Sequence, residues 1–108
     1  MYEYLERRGL DFRDDRFEWD LDKAASNLRD HKVSFDDACT VFDDPRAMED
    51  LLIDDSDAEE RSRMLGLGRN HLLVVVFTER IGDDGLVRTR IISAWKANKH
   101  EQAKYNAS

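Results

Sequence analysis

The side chains best fitted to do chemistry in this sequence are cations. Arg88 and Arg90 stand two apart in the run Val87 to Trp95. In an extended chain, alternation puts Arg88, Arg90, Ile92 and Ala94 on one face and Val87, Thr89, Ile91, Ser93 and Trp95 on the other. Neighbouring guanidiniums make a positive patch, and their forked donors match phosphate oxygens. Arg61 opens a second strand-like run, Arg61 to Leu67. Strands hold side chains more precisely than loops do. His31 is the group best suited to proton transfer near neutral pH. It lies just past a predicted helix, whose C-terminal dipole favours the protonated ring. Lys23 belongs to that helix, and Lys96, Lys99, His100 and Lys104 string along the C-terminal stretch, where they could track a polyanion. Each residue also has a plainer reading. The arginines would serve as solvated charges or as partners of acidic helices, His31 as a cap on helix carbonyls, and the lysines as exposed surface.

Charge balance separates the two halves of the chain. The net charge is −7 over 108 residues, which by itself argues against a nucleic-acid binder. Residues 1–60 carry 8 Lys/Arg against 20 Asp/Glu, and residues 61–108 carry 9 against 4. The halves are therefore −12 and +5. RNA or another polyanion could meet the second half, while the first would repel it or dock a basic protein. Cys39 is the sole cysteine, so no intramolecular disulfide forms, as expected in a reducing cytosol. The charged start lacks the apolar core of a signal peptide. The longest apolar run, Leu72 to Phe77, is too short to span a bilayer. His31, His71 and His100 show no metal-ligand spacing, and Gly66-Leu67-Gly68 is too short for a dinucleotide fingerprint. Neither a metal nor another cofactor is expected.

The elements that would position these cations follow from spacing. Residues 1–16 read as an N-terminal extension with Leu5, Leu10 and Phe12 among charges, and 17–108 as one domain. Phe17-Glu18-Trp19 is a short strand, with Trp19 expected in the core. Asp20 caps a helix over Leu21 to Asp30, whose apolar face would be Leu21, Ala24, Ala25 and Leu28. Ser34 caps a second helix presenting Phe35, Ala38 and Phe42, and Asp44-Pro45 ends it. Strands follow at Met48 to Asp54, Arg61 to Leu67, His71 to Arg80 and Val87 to Trp95. Ser56 to Glu59 forms a turn, and Gly82 to Gly85 a hairpin loop. Ala97 to Asn106 closes the chain as a helix. The class is α+β: an antiparallel meander of four to five strands with two N-terminal helices and one C-terminal helix.

The ordered set Phe17-Glu18-Trp19-Asp20, Lys23, Asn27, His31, Val33-Ser34-Phe35, Asp44-Pro45, Glu60-Arg61 with Gly66, Thr89-Arg90-Ile91-Ile92-Ser93-Ala94, Lys96-Ala97, Glu101 and Tyr105 resembles the BrnT family of bacterial type II toxins. The resemblance covers nearly all of residues 17–108. It implies a RelE-like fold and a cytoplasmic ribonuclease that cleaves RNA without a metal and blocks translation. It also implies a partner, a BrnA-like ribbon-helix-helix antitoxin, in a heterotetramer that touches operator DNA only through the antitoxin. Its matching positions make Arg61 and Arg90 phosphate clamps, with His31 and Lys23 as catalytic partners. RNA would run along Arg88, Trp95, Lys96, Lys99 and Lys104. Glu60 and Glu101 match the pattern as possible bases, or as ion-pair partners of Arg61 and a lysine. Where the family carries an arginine, this chain has Trp95, which offers one N–H and no charge. That exchange raises an alternative: an attenuated protein that binds its antitoxin and acts in repression of the operon.

Overall fold

Leu72–Phe77, the longest apolar run, becomes the middle of the sheet. In the computed structural model, which describes residues 16–52 and 61–107, positions 73–78 are all buried, as expected of a strand covered on both faces. The chain runs β1 (Phe17–Glu18), α1 (Leu21–His31), α2 (Phe35–Thr40), a 3-10 turn (Val41–Asp43), β2 (Met48–Leu52), β3 (Arg61–Leu67), β4 (Leu72–Ile81), β5 (Val87–Lys96) and α3 (Lys99–Ala107). The five strands lie in the order β1-β5-β4-β3-β2. β2 to β5 form the expected antiparallel meander, and β1 adds to β5 in parallel. This is an α+β fold with a mixed sheet. None of its described helices is long and apolar enough to cross a membrane. The extension 1–15, the turn Ser56 to Glu59 and Glu60 lie outside the described residues. Arg16 is ordered by the sheet: its carbonyl accepts the Thr89 N–H at 2.7 Å.

One face of the sheet packs on α1 and α2. Leu73, Val75, Phe77, Ile91 and Ala94 from the strands meet Phe17, Trp19, Val33, Phe35, Ala38 and Val41. Trp19 stands edge-on to Phe35 at 5.5 Å, and Phe42 packs on both Phe17 and Phe77. Ser34 caps α2 by accepting the Asp37 N–H, as the sequence indicates. The other face holds a smaller cluster, where α3 lays Tyr105 and Ala97 on Leu65 and Val74.

Two expectations fail, each because of a partner distant in sequence. The apolar face expected on α1 is not the buried one. Leu21 and Leu28 stay 44% and 51% exposed, Ala25 is exposed too, and Ala24 alone of the four packs on the core. The buried residue is Asn27, at 6% exposure. β1 pairs with β5 at Thr89 and Arg90, and among the described residues no strand pairs with this edge of β5 farther along. Asn27 takes the place of one. Its amide donates to the carbonyls of Ala94 (2.9 Å) and Val33 (3.0 Å), and its oxygen accepts the Ala94 N–H (3.1 Å). Alternation also breaks within β5. Val76 pairs with Ser93 but Phe77 with Ile91, so Ile92 is an extra residue and forms a β-bulge. Beyond it the faces exchange. Ala94 joins Ile91 in the helix-side core, and Trp95 turns to the face that carries Arg88 and Arg90.

Candidate functional site

Residues opposite each other in adjacent strands share a face. Glu18 lies beside Arg90, and Arg90 beside Thr78. Arg61, one step past the Ser62–Phe77 pair, continues this row. Arg80 and Arg88 are opposite one another on the same face. α3 covers only the end of that face near Leu65 and Val74. At the uncovered end lies a cleft of ≈ 110 Å³, lined by Asp20, Lys23, Arg61, Arg80, Arg90, Ile91 and Ile92. Four of these seven side chains are cations.

Each is held by its element. Arg90 donates from Nε to Glu18 Oε2 at 3.0 Å, a partly buried, charge-assisted bond that fixes the guanidinium across β1 and β5. Asp20 caps α1 by accepting the N–H groups of Asp22 (2.8 Å) and Lys23 (3.4 Å), which sets the first helical turn and so the start of the Lys23 side chain. The helix N-terminus adds partial positive charge at the cleft wall. The bulge at Ile92 brings two isoleucines to the lining, an apolar flank beside the cations. Such a site attracts a phosphodiester and stabilises negative charge that grows on it.

Three of the four residues expected to be catalytic, Lys23, Arg61 and Arg90, line this one cleft. His31 is not among its lining residues. It ends α1 with its ring centroid 6.2 Å from that of Trp95, the planes inclined by 47°. Trp95 also stands outside the cleft lining, partly buried against the α3 cluster. Arg88 closes the hairpin. Its two terminal nitrogens donate to the two carboxylate oxygens of Asp84, at 3.1 and 2.7 Å, and this pairing pulls the Asp84 carboxyl down to about 2. Lys96 is opposite Leu73, so it takes the helix-side face at the sheet's end, where it is exposed. Lys104 pairs with Asp50 at 3.3 Å, and Lys99 is exposed at the start of α3. Glu101, read as a possible base or as the ion-pair partner of a lysine, takes part in a helix cap. It accepts the Asn98 N–H while Asn98 accepts its own, a reciprocal cap on α3.

Arg80 escaped the sequence reading, although its signal was present. A hairpin loop over Gly82 to Gly85 pairs Ile81 with Val87, which puts Arg80 opposite Arg88 and on the face of Arg90. Asp44 has a different role, away from the cleft. One oxygen accepts the Leu67 N–H at 2.7 Å and the Tyr105 hydroxyl at 2.6 Å, and the other accepts the Arg46 N–H, tying α3 and β3 to the loop after α2. Arg46 lies over the Tyr105 ring at 4.9 Å.

The family model for the ribonuclease toxin BrnT of type II toxin–antitoxin systems matches residues 19–101. The chain belongs to this family. The matched span contains all four cleft cations of this BrnT member, and its membership in a type II toxin family implies an antitoxin partner. No curated protein matches the chain.

Proposed function

We propose that this BrnT chain is an active, RelE-like endoribonuclease whose catalytic centre is the cleft of Lys23, Arg61, Arg80 and Arg90. The convergence of four cations from α1, β3, β4 and β5 carries this reading. In the reaction, a ribose 2′-oxygen attacks the adjacent phosphorus and the bond to the 5′-oxygen breaks. The products are a 2′,3′-cyclic phosphate and a 5′-hydroxyl. Arg61, Arg80 and Arg90 bind the non-bridging oxygens and gather the charge that builds on them. The 2′-hydroxyl proton passes to a carboxylate at the rim, Asp20 or the Arg90-bound Glu18. Lys23 is the lining cation able to give a proton to the leaving oxygen, since arginine does not deprotonate in proteins. His31, placed against Trp95, acts outside this step. Cleavage needs no metal ion, as the family resemblance implies, and halts translation in the cytoplasm. A BrnA-like ribbon-helix-helix antitoxin neutralises the chain in a heterotetramer and supplies the contact with operator DNA.

The alternative of an attenuated, purely antitoxin-binding protein draws on Trp95. That residue is outside the cleft lining, and the cleft keeps its four cations. Induction of the chain in a bacterial host, with mapping of RNA ends, tests the proposal. Growth arrest with new RNA ends, both lost in Arg90→Ala, is expected. A harmless parent chain with no new ends would overturn it, and arrest restored by Trp95→Arg would establish the attenuated reading.

A further inference from the structure

The β-bulge does more than flank the cleft. By exchanging the faces of β5 at Ile92, it brings Trp95 onto the sheet face of Arg88 and Arg90, where regular alternation would have sent it to the opposite side. α1 runs beside β5 between the same two places. Its start carries Asp20 and Lys23 into the cleft, and its last residue, His31, meets Trp95. Lys23 and His31 are eight residues apart on this helix, about 12 Å at the helical rise. That distance matches about three to four nucleotides of a stacked strand at 3.4 Å each, fewer of an extended one. The ring centroids of His31 and Trp95 are 6.2 Å apart and inclined at 47°. At that spacing neither ring fully covers the other. His31 is exposed and Trp95 half-buried, so ring surface remains open. The stretch of β5 between Ile92 of the cleft and Trp95 is fixed from beneath: Ser93 donates to the buried Asn27 side chain, which is itself locked to the backbone.

We propose that His31 and Trp95 form a nucleobase-stacking platform, and that the chain therefore takes single-stranded RNA, with a base a few nucleotides from the bound phosphodiester resting on this pair. The proposal rests on the ribonuclease reading of the cleft. Unstacked bases on aromatic and histidine rings are the common mode of single-strand RNA recognition, whereas duplex RNA keeps its bases stacked and out of reach. Stacking is tolerant of base identity and is worth about 1–3 kcal/mol per base, about 5- to 150-fold in affinity.

The test uses short 2′-O-methyl RNA, which lacks the attacking hydroxyl and stays intact. Dissociation constants for the full chain are measured by fluorescence anisotropy with single-stranded, duplex and abasic oligonucleotides. His31→Ala and Trp95→Leu are expected to weaken single-strand binding by about 5- to 150-fold each, and His31→Phe to retain it. Abasic oligonucleotides should bind the parent chain and His31→Ala equally. A merely structural role for either ring would not erase that difference. Unchanged single-strand affinity in both His31→Ala and Trp95→Leu, with loss in Arg90→Ala, would refute the platform and leave the cleft assignment standing. Duplex bound as tightly as single strand would likewise refute it. Absence of RNA binding by the parent chain would remove the ribonuclease reading, and the platform with it.

Discussion

Asn27 offers the sharpest test of the fold's logic, because one side chain there replaces part of a strand. Asn27→Ala removes the partners of three main-chain groups, the Ala94 N–H and the carbonyls of Ala94 and Val33. The Asn27 site and Ala94 are both buried, so water reaches the stranded groups poorly. A hydrogen bond contributes about 1 kcal/mol net, and a buried group left unsatisfied costs about 1–3 kcal/mol. Three such groups put the loss at about 3 kcal/mol at the least, a large share of the about 5–15 kcal/mol that stabilises a typical domain. Asn27→Asp should fare worse than Asn27→Ala at neutral pH. It keeps an acceptor for the Ala94 N–H, but sets a carboxylate oxygen against two carbonyls where the amide had donors. Urea unfolding followed by circular dichroism measures both variants, and slopes equal to the parent's would show that the midpoint shift reports stability alone. A loss below about 1 kcal/mol for Asn27→Ala, or an Asn27→Asp variant as stable as the parent, would refute the view that this amide stands in for a strand.

The remaining expectations are more local. A Cβ at Gly66 would lie 2.9 Å from both the Ala47 Cβ and the Val41 Cγ1. Gly66→Ala should therefore cost about 1–3 kcal/mol by overpacking, read as a lower melting temperature. In RNA cleavage assays Arg80→Ala should lower the rate by about 10²- to 10³-fold, as loss of a donor to a developing oxyanion does. Arg88→Ala, whose side chain is engaged with Asp84, should change the rate little. Asp44 gives a pH signature. Burial pushes its carboxyl up, but hydrogen bonds from the Leu67 N–H, Tyr105 and the Arg46 N–H, helped by the Arg46 charge, outweigh burial and hold it below the usual range. Its contribution is thus complete above the ordinary aspartate value of about 3.9 and disappears as pH falls through the lower folded value. Urea midpoints compared at neutral pH and below about pH 4 should show Asp44→Asn losing less on acidification than the parent chain.

Much of this architecture is written in local signals. The Leu72–Phe77 run, the caps at Asp20 and Ser34, and the glycines at Gly82 and Gly85 specify elements through their own backbones, without knowledge of neighbours. Arg61 and Arg90 could be placed on strands for the same reason. The misreadings arose where a residue's role is set by something distant in sequence. Leu21 and Leu28 follow helical spacing, yet the helix faces the sheet through Ala24 and Asn27, because an uncapped edge 67 residues away needed hydrogen-bonding groups more than apolar ones. The exchange of faces in β5 depends on pairing with Val76 and Phe77 on another strand, so alternation within β5 alone could not reveal it. Arg80 required the hairpin register to be carried one pair farther. Arg61 and Lys23, 38 positions apart in the numbering, meet only because the sheet and α1 bring their elements to one cleft.

The bulge at Ile92 also gives β5 one residue beyond its regular register. Most sequence change over generations consists of substitutions, but strands occasionally gain or lose a residue. Removal of Ile92 would pair Ile91, Ser93, Ala94 and Trp95 in plain alternation with Phe77, Val76, Val75 and Val74, the partners they have now, so Ala94 and Trp95 would keep their faces and only the bulge would be lost. Descendants of this chain that lose the residue at position 92 should therefore keep both packed faces and give up only the bulged backbone beside the cleft: at this point the strand has one residue to spare.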